Sequence, residues 1–328
     1  MKFTQIPEDG ASWQEPLRYR FSNESIVPED MEIVIVDETT AERLGTMHLY
    51  STCTGDIDIA PYLRAKMRLT PTEASRDIQL VRSPSAVAVS VVVNGVKSEV
   101  GHFFRSKIDY NRCGSLSSHV VNHSIVRGDA IRLTLFAKSS IEVVVSYVGP
   151  SAMSPTRITL ATNGLPGELI IPTAYLRNIT SVDVHVSYDG GTVQNFNYVI
   201  EPGSQVSKPG SLHLVWYNPQ GGIESYMFNH SVRLGYAVSS EDIASGNNEI
   251  HKHVDGRQRY RICTGYDTTR EIARVVELLL SPMVFSEKMG VCTPIVVENR
   301  EVNFDSKGLL HSFAIDISEE WKGGGDYV

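Results

Sequence analysis

The sequence predicts a mainly β protein: an N-terminal antiparallel β-sandwich followed by a β-rich domain with one amphipathic helix packed on an antiparallel sheet. Three observations point there. Short runs of β-branched and apolar residues recur along the chain, punctuated by turn signals such as Asn94-Gly95 and Asp189-Gly190-Gly191. One segment alone, from Thr268 to Leu280, keeps a helical period. The composition, 41% hydrophobic and 21% charged over 328 residues, is that of an ordinary globular protein with enough chain to bury a core.

The elements follow in order. Met31 to Val36 is a short β-branched run. Ala86 to Val93 is a second, and Asn94-Gly95 behind it accepts positive φ at both turn positions, so Val96 to Phe104 is the expected return strand. Ala130 to Ala137 and Ile141 to Val148 are two strands joined at Lys138-Ser139-Ser140, and their near-continuous hydrophobicity predicts cover on both faces. No stretch before residue 150 holds a helical period for three turns, so this half is read as a sandwich.

Gly149 to Pro155, with two prolines, a glycine and two serines, is the expected linker between domains spanning 1–150 and 151–328. Beyond it, Val182, Val184 and Val186 alternate with polar residues as in a half-buried strand; Thr192 to Ile200 returns. Leu212 to Trp216 and Ile223 to Phe228 flank the turn Asn218-Pro219-Gln220-Gly221-Gly222. Thr268 and Glu271 have capping-box spacing, Ile272, Val275, Val276 and Leu279 share a face, and Pro282 ends the helix. Thr293 to Val297 and Leu309 to Ile317 close the domain, and the glycines after Lys322 predict a flexible tail.

A formal net charge of −8 with scattered basic residues argues against a nucleic-acid groove. The first residues contain no apolar signal segment, and no apolar run approaches the length of a membrane span, so the expectation is a chain made in a cytoplasm, without membrane contact. Cys53, Cys113, Cys263 and Cys292 form no C-x-x-C unit and are expected as free thiols.

Catalytic signatures for nucleophile elbows, zinc proteases, P-loops and dinucleotide folds are absent, and the chain is not read as an enzyme. His251, His253 and Asp255 share one face if extended and form a weak metal candidate, set against a polar strand face entering a turn at Asp255-Gly256. Asp56 and Asp58 pair two carboxylates on a strand face, against the plainer reading of a solvated edge. His119 and His123 lie in a serine-rich stretch with no flanking acid to complete a triad. Trp216, Tyr217, Tyr226 and Phe228 cluster across one hairpin, as a sugar platform or as core, and their alternation favours core. No cofactor is expected.

That hairpin also carries a resemblance. Trp216, Asn218, Gly221, Gly222, Glu224, Tyr226 and Phe228 fit the pattern W-x-N-x-x-G-G-x-[DE]-x-[YF]-x-F, which resembles virion structural proteins of tailed phages and prophages of Bacteroides-type bacteria. The following order is similar too: Ile262 to Tyr266, the helix, Leu280-Ser281-Pro282-Met283-Val284-Phe285, then Thr293 to Val297. Gly55 to Ile59 and Tyr62-Leu63-Arg64 match more weakly, and Pro219 departs from the pattern. The resemblance implies a tail, baseplate or head–tail junction subunit located in the virion. Its partners would be copies of itself and other virion structural proteins, and Trp216, Asn218, Gly221, Gly222, Tyr226 and Phe228 would be architectural. The alternative is a glycan-binding or host-attachment module with weak glycan contact.

Overall fold

The computed structural model describes residues 1–25, 27–118, 123–150, 153–201, 212–228, 233–245, 248–298 and 310–320. The protein is mainly β, with several antiparallel sheets arranged as two sandwiches and a third, curled sheet.

The first sandwich holds β1 (Lys2–Gln5), β2 (Arg18–Ser22), β3 (Glu29–Asp37), β4 (Glu42–Thr52) and β5 (Thr54–Asp58). Helix α1 (Ala60–Lys66) follows, then β6 (Gln79–Arg82), β7 (Ala86–Val93), β8 (Val96–Lys97) and β9 (Gly101–Phe104). Sheet β1-β2-β5 packs on sheet β4-β3-β7-β8, with β9 also paired to β7. Tyr19, Phe21 and Ile57 from one meet Met31, Ile33, Ile35 and Val89 from the other in one core. Alternation on β3 supplies that face because successive side chains point to opposite sides of the pleat. The Asn94-Gly95 turn has φ of 47° and 81°, the left-handed pair that a two-residue hairpin demands.

The second sandwich comprises β10 (Gly114–Ser115), β11 (His123–Val126), β12 (Ala130–Phe136), β13 (Ser140–Val148) and β14 (Thr156–Ala161). It continues with β15 (Gly167–Pro172), β16 (Ser181–Tyr188) and β17 (Thr192–Glu201). One sheet runs β10-β12-β15-β6, borrowing β6 from the preceding segment, and the other runs β11-β17-β16-β13-β14. The β11–β17 pair is parallel. Ile131, Leu133, Leu135 and Leu169 face Ile141, Val143, Val184 and Val186 across the core.

The third module begins with β18 (Leu212–Tyr217), β19 (Ile223–Phe228), β20 (Arg233–Ser245) and β21 (Asn248–Thr268). Helix α2 (Thr269–Val276) follows, continued by a 3-10 turn over Glu277–Leu280, then β22 (Val284–Lys288), β23 (Val291–Val297) and β24 (Leu310–Glu320). The seven strands lie in the order β19-β18-β22-β23-β24-β21-β20 and curl around the helix. Ile272, Val275 and Leu278 insert against Leu214, Trp216, Phe228, Phe313 and Ile315. This helix realises the amphipathic pattern of the sequence. The side chains of Thr268 and Glu271 and the glycine-rich stretch after Lys322 lie outside the described residues.

Several expectations are corrected. Gly149 to Pro155 is not a boundary between folding units, because it connects β13 to β14, which pair from Ser140↔Ala161 to Val145↔Thr156 in one sheet. β12 and β13, joined as expected at Lys138-Ser139, belong to opposite sheets, so this turn crosses the sandwich. β12 is buried throughout, but β13 alternates, with outward positions half-buried from Ser140 to Ser146 and Val148 exposed. Helix α1 appears where no three-turn period exists, since seven residues need only Ala60 and Leu63 on the core side and Pro61 in the first turn. Asp255-Gly256 is no turn but part of the 21-residue β21, with Gly256 opposite Val238.

Candidate functional site

The β18–β19 hairpin is the meeting point of all three modules. On β18, Leu214 and Trp216 turn toward the helix, while Val215 and Tyr217 turn the other way and pack with Leu69, Ile223 and Phe285. Both faces are therefore covered, and any polar side chain here must find an internal partner.

The turn itself is built from the motif residues. Asn218 Oδ1 accepts from the Gly222 backbone N–H at 2.8 Å, and its Nδ2 donates to Leu116 O and to Glu224 Oε1, both at 2.9 Å. Gly221 takes φ of 84°. At Gly222 an added Cβ would stand 2.1 Å from Leu116 O, so only glycine admits the second module's backbone so close. The first module clamps the same turn: Arg105 Nη1 donates to Tyr217 O at 3.0 Å and Asn218 O at 2.9 Å, and Ser106 Oγ donates to Pro219 O. Pro219 contributes here through its carbonyl.

Two buried ionic groups flank the hairpin. In the first, Arg132 of β12 places Nη2 2.9 Å from Glu287 Oε1 of β22, and its Nε lies 3.3 Å from each carboxylate oxygen. Its Nη1 donates to Thr72 O at 2.6 Å. His213 Nδ1 stands 3.4 Å from both Asp129 Oδ2 and Glu287 Oε2, aligned as a hydrogen bond to neither. Tyr217 donates its hydroxyl to Glu168 Oε1 at 3.2 Å. Burial disfavours the Glu287 carboxylate, yet contact with His213 and the Arg132 charge outweigh it and hold its pKa down at about 2. Burial likewise opposes a charged His213, but Asp129 and Glu287 raise its pKa above the ordinary value. Burial raises Glu168 and Asp129, against the opposing charges of Arg132 and His213, and pushes the Cys292 thiol up to about 12.

In the second group, Glu224 of β19 accepts from Asn218 and from the Ser118 backbone N–H, and its Oε2 lies 3.2 Å from Arg274 Nη1 on α2. Burial pushes Glu224 up to about 7 despite Arg274. Ser117 Oγ donates to Ile223 O at 2.6 Å, and Ile223 N–H donates to Thr134 Oγ1 at 2.9 Å, extending the weld onto β12.

This arrangement fastens modules together; it does not expose a reacting group. The cavity beside Ser117, Glu224 and Arg274 holds about 20 Å³, room for one water. A larger open groove of about 420 Å³ is lined by Lys107, Asp109, Arg112, Ser115, Gln194 and Gln220, and by none of the charged residues of the two ionic groups.

Trp216, Tyr217 and Phe228 are fully buried, and Tyr226 is partly buried with its ring 5.1 Å from Phe228. They form core and offer no platform to a sugar. Asp56 is held by Arg18 and Arg20, while Asp58 Oδ1 accepts from the backbone of Leu17 and Ala60, so the pair is spent on local structure. His119 lies outside the described residues, as does the side chain of His123. The backbones of His251, His253 and Asp255 lie on β21 opposite Asp242, Glu241 and Ser239, and their side chains are likewise outside. Among the described residues no group of three or more His, Cys, Asp or Glu is placed to hold a metal, and none of the four cysteines is in a disulfide.

Sequence reasoning missed Arg105, Asp129 and Arg274, and also Arg132, Glu168, His213 and Glu287, which lie within strands. For Arg132, Glu168 and His213 the signal was a charged or polar side chain inside a largely apolar strand, as in Ala-Ile-Arg-Leu-Thr-Leu-Phe at β12.

No protein-family model matches the chain, and no curated protein matches it. Solved structures with partial similarity include the Dpr2 Ig1-Ig2 complex with DIP-Theta Ig1-Ig3, at 7% identity over 61% of this chain and 98% of that one, TM-score 0.20. A two-domain fibronectin type-III segment from chicken tenascin is 12% identical over 60% and 94% of the two chains, TM-score 0.18. E. coli alpha-2-macroglobulin is 7% identical over 78% of this chain and 20% of its own, TM-score 0.20. TM-scores at this level define no common fold.

Proposed function

We propose that this chain is a structural subunit that acts by assembling with copies of itself and with neighbouring subunits, and that the assembly is the tail, baseplate or head–tail junction of a phage virion. One observation carries the assembly reading: the β20–β21 ribbon. Among the described residues β24 pairs with β21 only from Arg257 to Thr268, while β20 stays paired with β21 back to Asn248. Of the nine β21 residues from Asn248 to Gly256, eight thus pair with β20 alone among the described residues and Lys252 is bulged, giving a two-stranded ribbon roughly 30 Å long at about 3.3 Å per residue.

An isolated two-stranded ribbon is marginally stable in water, and its open edges are templates for further strands. Such an arm gains stability when another chain covers it. The welded junction at β18–β19 complements this, because a rigid body transmits load between contacts made at separate modules. The virion assignment rests in addition on the resemblance of the Trp216–Phe228 hairpin and the order of elements after it.

The test is to replace Ser239–Asp255 by an Asn-Gly turn and measure incorporation into particles made with the neighbouring structural proteins of its own genome. The shortened chain should fold with an unchanged melting temperature and fail to enter particles. Absence of the intact chain from any particle, or full incorporation of the shortened one, would overturn the reading.

A further inference from the structure

The outer edge of the ribbon has a length and a charge order that name its partner. β20 is 13 residues long and, among the described residues, pairs with β21 alone, so its other edge stands at the border of the seven-stranded sheet. Edge strands left bare in solution are usually short, or are blunted by lysine, proline or a bulge in the strand. β20, reading Arg-Leu-Gly-Tyr-Ala-Val-Ser-Ser-Glu-Asp-Ile-Ala-Ser, contains no lysine and no proline. The one register shift in the hairpin falls between Glu241 and Asp242, where β21 skips Lys252, so the extra residue sits on the inner strand and leaves the outer one unbroken.

Charge along β20 is polarised. Its only cation is Arg233 at the start, and its only anions are Glu241 and Asp242 toward the end. Two copies of such a strand laid antiparallel about a twofold axis at Ala237 set Arg233 of each opposite Glu241 of the other, with Gly235 opposite Ser239. Both charged pairs are then attractive; on their face Gly235, Ala237 and Ser239 keep the centre small, while on the other face Tyr236 of each strand stands opposite Val238 of its partner. Parallel alignment would stack Arg233 on Arg233 and Glu241 on Glu241. A twofold pairing also closes on itself, so it yields a dimer and not a fibre.

We infer that the β20 edge is a self-complementary interface, through which two copies of this chain join their seven-stranded sheets into one continuous antiparallel sheet. This rests on the reading of the chain as an assembly subunit and names the partner at one of its contacts.

Sedimentation equilibrium of the full chain tests it. The wild type should dimerise, Arg233→Glu alone and Glu241→Arg with Asp242→Arg should each weaken the dimer by about tenfold or more, and the combined swap should restore it. Thermal melts check that all variants are folded; a variant that is not is replaced by Arg233→Gln and Glu241→Gln, each expected to weaken dimerisation. A wild type that stays monomeric at high concentration, or a swap as weak as its parents, would overturn the inference. If the wild type is monomeric yet the ribbon deletion still blocks particle incorporation, the subunit reading stands and only the self-pairing fails.

Discussion

Arg132 and Glu287 stand 155 residues apart in the chain, yet their side chains meet at 2.9 Å with no exposure to solvent on either. Arg132 belongs to the second sandwich and Glu287 to the curled sheet, so this pair is a rivet between modules. Buried ion pairs add little net stability over apolar packing, but removing one partner strands the other charge in a dry interior. The junction therefore specifies how the modules sit more than it strengthens them.

Glu287→Gln leaves the Arg132 guanidinium uncompensated and should cost about 3–5 kcal/mol in urea unfolding. The double change Arg132→Met with Glu287→Leu should recover most of that loss. A double variant as unstable as the single one would show that the pair contributes more than mutual compensation.

The pH dependence follows chiefly from Glu224, His213 and Glu287, with Glu168 and Asp129, also raised by burial, acting in the same sense as Glu224. Glu224 ionises near 4.5 when unfolded and near 7 when folded, so between these values the unfolded state binds fewer protons and stability falls as pH rises. His213 has a folded pKa above 6.5, so its contribution is complete below that value and is lost as pH climbs through the folded one. Glu287 acts oppositely: its stabilisation is present above 4.5 and disappears as pH drops through about 2. The urea midpoint should accordingly be highest in mildly acid buffer and fall on both sides. Glu224→Gln should flatten the decline between pH 4.5 and 7, and a wild-type midpoint that climbs from pH 5 to 8 would contradict the assignment.

Gly222→Ala forces a Cβ against the Leu116 carbonyl, a backbone atom that cannot swing away. A loss of about 1–3 kcal/mol and a changed near-ultraviolet signal from Trp216 are expected. Gly191→Ala is the control, since nothing lies within 4 Å of its added Cβ, and should stay within about 0.5 kcal/mol of wild type.

Asn218→Ala removes three turn hydrogen bonds and leaves the part-buried Leu116 carbonyl without its donor from this side chain. Thermal denaturation should report a loss of about 1–3 kcal/mol, with Asn218→Asp no rescue because it adds a carboxylate beside Glu224.

The strands with clean alternation were legible from sequence. Ala86–Val93 with its Asn-Gly turn, Ser181–Tyr188 with Asp-Gly-Gly, and the Trp216 hairpin all emerged close to their observed bounds, because local turn chemistry and period-two patterning act within one hairpin. Sheet membership was not legible. Nothing in Lys138-Ser139-Ser140 says whether the chain returns beside its neighbour or crosses to the opposite sheet, and nothing in Gly149–Pro155 separates a hairpin loop from a linker. β20 escaped, and of β21 only the stretch ending at Tyr266 was read as a strand, because polar residues interrupt the apolar alternation along both. The roles of Asn218 and the two glycines were visible as a motif, but the reason for Gly222 is a backbone 106 residues earlier, a separation no local pattern reports.

Hydrogen exchange on β20 and β21, in the isolated chain and in the assembled particle, tests the central claim most directly. Amides from Asn248 to Gly256 should exchange far faster than those from Arg257 to Thr268 in the isolated chain, and should become protected on assembly. Equal protection of the two stretches in the isolated chain, or an unchanged ribbon in the particle, would contradict the account.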